Sequence, residues 1–198
     1  MSTLSLKKGQ PVALTSTLNM SLITQSDLPD IIDMLGNPAV NEYLFFAPAP
    51  VEVYEGFFGP IIENTKSAIV AGEWPEQLTV VFRNTKGTYM GMAGLPSVMF
   101  LEGNFEVGYQ LAEHAWGQGI ATQAAQYLTA LAFNELNAHK VTADCYASNI
   151  GSYKTLEKCG FNREGCQKGY YKVENGFVDR LHYGMTKVDF FAQANSTK

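Results

Sequence analysis

The stretch EHAWGQGIATQAAQYLTALAF, residues 113–133, sets Gly117 and Gly119 directly in front of a long helical pattern. Helix starts usually recruit Ser, Thr, Asp or Asn as caps, and a glycine inside a helix costs up to ~1 kcal/mol against alanine. Two glycines here leave the first amides of the helix bare. Those amides point outward, and the aligned peptide dipoles place roughly half a positive charge at the helix start. Such a terminus suits a phosphate or carboxylate, and glycine lets the anion approach the backbone with no Cβ in the way. A merely tight turn is the plain alternative.

Spelling tests two nucleotide-binding versions of this idea. A P-loop needs Gly-x-x-x-x-Gly-Lys-Ser/Thr, and the chain has neither that lysine nor that spacing. The dinucleotide fingerprint needs Gly-x-Gly-x-x-Gly/Ala, but the third position is Thr122. The ribose-binding acid is also misplaced, with Glu135 ahead of the following strand and Asp144 in its middle. Both versions fail.

The elements around the loop follow from periodicity. TLNMSLIT reads as a strand and SDLPDIIDMLGNP as a helix capped by Ser26 or Asp27, with Pro29 in its first turn and Gly36 at its end. A short helix, AVNEYLFF, follows Pro38. Residues 47–75, broken by Pro48, Pro50 and Pro60, read as an excursion from the core sheet that ends in a helical piece. EQLTVVFR, TYMGMAGLPSVMF and FEVGYQLA then form an antiparallel meander joined by turns. In the last strand Glu106, Gly108 and Gln110 share one face, opposite Val107, Tyr109 and Leu111.

Beyond the glycines, Ile120, Ala124, Leu128, Leu131 and Ala132 recur at helical spacing. KVTADCYA is the next strand, and NIGSYKTLEKCGF is a helix capped by Asn149 and closed by Gly160. A hairpin around Asn175-Gly176 completes the pattern. The order is that of a mixed α/β fold in one domain, residues 1–198, with a core over 18–187 and loose ends at 1–16 and 191–198.

Composition narrows the function classes. With 14 basic and 19 acidic residues the chain carries a formal charge of -5, and no basic run marks a nucleic-acid face. No apolar segment is long enough to span a membrane, and the N-terminus lacks the apolar stretch of a signal peptide, so a cytoplasmic place is expected. Cys145, Cys159 and Cys166 have no metal-type spacing and read as reduced thiols, so no metal is expected.

Taken together, EVGYQLAEHAWGQGIATQAAQYLTALAFNEL and ASNIGSYKTLEKCGF resemble the GNAT acetyltransferase superfamily, in particular its ribosomal-protein N-terminal acetyltransferase branch of RimJ/RimL type. The resemblance covers about residues 18–187 and is sharpest from Glu106 to Phe161. It implies a mostly antiparallel central sheet flanked by helices, with a splayed strand pair that holds acetyl-CoA. The implied cofactor-binding residues are Gln110, Leu111 and Ala112 along the strand edge, where the pantetheine amides add like a strand. The diphosphate falls on Gly117, Gln118, Gly119, Ile120, Ala121 and Thr122. Asn149 bonds the pantetheine with the amide nitrogen that helix capping leaves over.

The implied reaction is acetyl transfer to a primary amine, a protein N-terminus or a small-molecule amine, by direct attack in a ternary complex. Deprotonating a lysine-type amine at pH 7 costs ~4–5 kcal/mol, and an α-amine only ~1. The resemblance points to Glu106 as the base, with Glu113 and His114 as alternatives, and to a strand amide near Leu111 for the oxyanion. Many members carry a tyrosine acid where this chain has Leu156; the resemblance to the RimL-like branch points instead to Ser152 as the acid, with Tyr153 in reserve. Trp116 stands where arginine or glutamine is usual in the wider superfamily. A non-catalytic acyl-CoA sensor of the same fold is the alternative, and the chain is expected to be a monomer or homodimer.

Overall fold

Burial along Leu18–Leu22 alternates, as a strand with one covered face requires, whereas Leu128, Leu131 and Ala132 are buried at helical spacing. These two periods account for most elements of the structure, a computed structural model that describes residues 3–196. In chain order they are α1 (Thr3–Lys7), β1 (Val12–Ala13), β2 (Leu18–Leu22), α2 (Leu28–Gly36), α3 (Pro38–Asn41), α4 (Val51–Ala71), β3 (Gln77–Asn84), β4 (Tyr89–Pro96) and β5 (Asn104–Glu106). β6 (Gly108–Leu111), α5 (Ile120–Glu135), β7 (Lys140–Tyr146), α6 (Ile150–Lys158), β8 (Asn162–Val173), β9 (Gly176–Thr186) and α7 (Lys187–Ser196) follow. The fold is mixed α/β, with mostly antiparallel sheets.

The chain divides into two compact units, residues 1–96 with 109–124, and residues 97–108 with 125–198. The first holds a sheet of order β1-β2-β3-β4-β6. Its core joins α2 (Ile31, Met34, Leu35) to α4 (Tyr54, Phe58, Ile62) and to Val81 and Met92 of β3 and β4. At about 25 cal/mol per Å² of apolar surface, burial of this kind is the main favourable term. Asp27, one of the two expected candidates, is the N-cap residue of α2, and it also closes a capping box with Thr24 over the short 3-10 turn ahead of the helix. Arg83 then bonds Asp27 at 2.9 Å and Asp30 at 2.6 Å, which satisfies the buried Asp27.

The second unit holds a sheet of order β5-β7-β9-β8, with β5 parallel to β7 and the other pairs antiparallel. The Asn175-Gly176 hairpin forms as its turn chemistry dictates. Asn149 caps α6 by accepting from the Ser152 amide at 3.0 Å.

Five expectations change. Residues 47–75 are dominated by one 21-residue helix, α4, which keeps Pro60 inside it and ends at Gly72 in a left-handed conformation. The helix after Pro38 is only four residues long. The expected N-terminal loose end contains α1, whose Leu6 is fully buried, and β1, paired with β2. At the other end α7 runs to Ser196, and residues 1, 2, 197 and 198 lie outside the described residues. Finally, FEVGYQLA is two strands: Val107, buried, donates its N–H to Thr142 O at 2.8 Å, and the chain then changes sheet. The face alternation expected through Glu106–Leu111 therefore breaks at Val107.

β6 lies close to β4 because Gly91, at φ 141°, has no side chain there; a Cβ would stand 2.7 Å from the Leu111 Cα. Gly91→Ala is expected to destabilise the protein by about 2–3 kcal/mol, the range of overpacking against backbone that cannot yield. Chemical denaturation of the variant checks this, and a loss under 0.5 kcal/mol (about the scatter of neutral surface changes) contradicts the close approach.

Candidate functional site

In the first unit, the glycine loop is held from behind. A short 3-10 turn over Glu113–Ala115 follows β6, and the Gln118 side chain donates to His114 O at 2.9 Å. Gly117 and Gly119 have φ of 73° and 75°, and a Cβ at either would meet nothing within 4 Å. The space before the loop is thus open as well as the backbone left-handed. The first backbone bond into α5 runs from the Gln123 N–H to Gly119 O at 3.1 Å, so helix geometry leaves the preceding amides directed out of the N-terminus. That arrangement fits a diphosphate.

The strand edge is narrower than expected. Antiparallel pairing turns alternate residues toward the neighbour. Ala112 donates to Met90 O at 3.1 Å and accepts from the Ala115 N–H at 2.8 Å, so both its backbone groups are used. By the same alternation Gln110 faces β4, and its carbonyl oxygen lies nearest the space over Gly91. Of the three residues, Leu111 is the one whose backbone faces the outer margin. Its carbonyl accepts the Trp116 indole N–H at 3.0 Å, which leaves the Leu111 N–H for an incoming partner. Gln110 and Ala112, also expected as edge contacts, direct their backbone groups toward β4 and the following turn.

The alternative bases are committed to structure. Glu113 accepts from the Asn37 side chain at 3.1 Å, and a His114 ring nitrogen donates to Tyr89 O at 3.0 Å.

The second unit carries Glu106, Asn149 and Ser152. Glu106 ends β5 opposite Thr142, on the sheet face shared by Asp144 and Tyr146 of β7 and by Arg180 and His182 of β9. Asp144 is the hub of that face. Arg180 grips it with two bonds, Nε to Oδ2 at 2.8 Å and Nη2 to Oδ1 at 2.7 Å, and the Tyr171 hydroxyl donates to Oδ2 at 2.6 Å. Tyr171 is itself stacked on Tyr146, ring centroids 3.9 Å apart, and Arg180 lies over Tyr170.

Burial alone would raise the Asp144 pKa, but the bonds from Arg180 and Tyr171 outweigh it and hold the carboxyl below its usual range. Glu106 moves the other way. Surrounding protein raises its pKa first, the charge of Asp144 and a hydrogen bond to it raise it further, and Arg180 offsets part of this. Glu106 nonetheless keeps solvent access, as a proton acceptor needs.

Ser152 sits elsewhere on this unit. Its amide is bound by Asn149, and its hydroxyl meets the Cys145 thiol, which burial pushes up to about 11 against that bond's opposing pull. Tyr153 faces a cavity of about 250 Å³ also lined by Cys166 and Asp179. All three cysteines are free, and among the described residues no cluster of three His, Cys, Asp or Glu side chains could hold a metal ion. Among the same residues, no helix is long and apolar enough to cross a membrane.

Asp144, Arg180 and Tyr171 were not expected as site residues. An acid in mid-strand, where β7 otherwise alternates into the core, signals a paired charge. Arg180 lies 36 residues away and meets Asp144 only through the β7–β9 pairing, so nothing local marks it.

Comparison with known proteins identifies the family and the fold. Residues 17–162 match the acetyltransferase (GNAT) domain family. The N-acetyltransferase p20 of Bacillus licheniformis is 29% identical over 176 residues, covering 89% of this chain and 96% of that one. Among solved structures, spermidine N-acetyltransferase from Vibrio cholerae in complex with CoA and spermine is similar with a TM-score of 0.76 at 18% identity, covering 89% of this chain and 99% of its own. RimL, a ribosomal L7/L12 alpha-N-protein acetyltransferase in complex with CoA, is similar with a TM-score of 0.74 at 17% identity over 89% and 98% of the two chains. The family match spans well over half of the sequence, so the chain belongs to the GNAT acetyltransferase family.

Proposed function

We propose that this N-acetyltransferase moves the acetyl group of acetyl-CoA onto a primary amine, either a protein N-terminus or a small-molecule amine, by direct attack within a ternary complex. The observation that carries the reading is the approach to α5, with two left-handed glycines and open space before them. Neighbours of this fold carry CoA, with spermine in one case and a ribosomal-protein N-terminus as the acceptor named in another, which supports the amine class without choosing within it.

In this reading the amides from Gln118 to Thr122 hold the diphosphate, and the Leu111 N–H takes a pantetheine carbonyl. Asn149 donates its side-chain amide to the pantetheine. Acetyl-CoA supplies the thioester. Glu106 removes one proton from the ammonium, the amine nitrogen bonds the acetyl carbon, and the carbon–sulfur bond breaks. The nitrogen's surplus proton ends on the CoA sulfur, relayed by the Ser152 hydroxyl. A base whose proton affinity is raised toward neutrality suits this task better than an ordinary carboxylate.

Acetyl-CoA at 100 times its dissociation constant is expected to stabilise the protein by ~2.7 kcal/mol, visible as a rise in Tm. Gly119→Ala should weaken acetyl-CoA binding by roughly tenfold, which corresponds to ~1.4 kcal/mol in calorimetry. An unchanged affinity removes the loop from the site.

Turnover is read by thiol release across a panel of spermidine, N-terminal peptides and simple amines. Glu106→Gln is expected to lower kcat/KM by about 10²–10³-fold with acetyl-CoA affinity kept. Because a base works only when deprotonated, activity is lost as pH falls through the raised Glu106 pKa, above the range of an unperturbed carboxylate. Full activity in Glu106→Gln rejects the base assignment. CoA binding with no thiol release on any amine favours the sensor reading.

Ser152→Ala is expected to lower kcat about tenfold with KM for acetyl-CoA unchanged, the pattern of an interaction made only in the transition state. No change in steady-state kinetics removes the Ser152 hydroxyl from the reaction and leaves it as a partner of the Cys145 thiol.

A further inference from the structure

On the reading of Glu106 as the base, we infer that Asp144, clamped by Arg180 and Tyr171, is the positioning residue for Glu106: the two carboxyl groups share one proton, and Asp144 fixes how Glu106 is aimed and when it can accept. The geometry carries this. Asp144 accepts from Arg180 through a two-bond fork and from Tyr171 at 2.6 Å, so its own ionised state is over-determined. Register sets Glu106 opposite Thr142, two residues before Asp144 on the same face of the parallel pair. Two carboxyl groups on paired strands of one sheet face oppose each other's ionisation, and the clamped Asp144 is the one that keeps its charge.

The proton balance is direct. At rest above the pair's upper midpoint both carboxylates are ionised, and Arg180 offsets one charge. The ammonium gives its proton to Glu106, the nitrogen–hydrogen bond breaks, an oxygen–hydrogen bond forms, and the new acid donates to Asp144. Asp144 therefore helps the protonated product of that step more than its reactant, as an orienting acid does behind a histidine base. The titratable groups on the face that Glu106 shares are Asp144 and Tyr146 from β7 and Arg180 and His182 from β9, with Tyr171 of β8 reaching Asp144 and Tyr170 lying under Arg180. His182 lies opposite Asp144 with its Nε2 buried and unbonded among the described residues, and any positive charge on it favours the ionised Asp144.

The test reads the pair itself before it reads activity. Carbon-detected NMR follows the Glu106 carboxyl from pH 3 to 9 in the full chain, alongside the acid limb of kcat/KM. Asp144→Asn removes the negative neighbour and leaves Arg180 facing Glu106, so the Glu106 midpoint and the acid limb should both fall by about one pH unit or more. Tyr171→Phe keeps the ring stack but removes a donor to the Asp144 anion. The upper apparent midpoint of the pair should therefore rise, opposite in sign to the asparagine variant. A folded Asp144→Asn protein with an unmoved Glu106 midpoint overturns the inference. If that variant does not fold, a Tyr171→Phe limb that stays in place, or falls, overturns it instead. Glu106→Gln with full turnover sinks the base reading alone, because the NMR midpoints report the coupling whether or not Glu106 does chemistry.

Discussion

A carboxylate inside a sheet face stays charged only if the strands around it deliver donors, and Asp144 sets that condition for the second unit. The antiparallel register of β7 and β9 brings Arg180 beside it, and the hairpin return of β8 brings the Tyr171 hydroxyl. A one-residue slip in either pairing would turn the donors to the other face and leave a partly buried charge without its partners. The polar cluster thus adds a constraint on register to that of the apolar core. What Glu106 can do with a proton follows from that register.

The first unit solves a different electrostatic problem with backbone alone. Its sheet ends in β6, a three-residue 3-10 turn follows, and α5 begins behind two glycines in the left-handed region. The Gln118 and His114 side chains reach back to carbonyls behind the loop, so the turn is fixed without filling the space before it. Charge is handled by aligned dipoles here and by a guanidinium fork in the other unit.

Much of this was legible in the sequence because it is local. The α5 stripe, the Asn149 cap, the Asn175-Gly176 turn and the two glycines each state their structure within a few residues. Three prolines disguised α4, since Pro60 ordinarily breaks a helix and here is carried by the packing of Tyr54, Phe58, Ile61 and Ile62. The break at Val107 was illegible for another reason: a strand that changes sheet keeps its composition, and only long-range partners reveal the switch. The Asp144 cluster lay beyond reach because its members come from three strands, 27 and 36 residues from the carboxylate.

The Trp116 indole on the Leu111 carbonyl has a consequence for solubility. An edge strand with open carbonyls invites strand addition from any other chain, and proteins blunt such edges in several ways. Here a half-exposed ring stands across the margin as a guard, occupying an acceptor that a stray strand would use for pairing. A partner that needs only the Leu111 N–H leaves the ring in place, whereas a strand seeking both a donor and an acceptor there meets an acceptor already engaged.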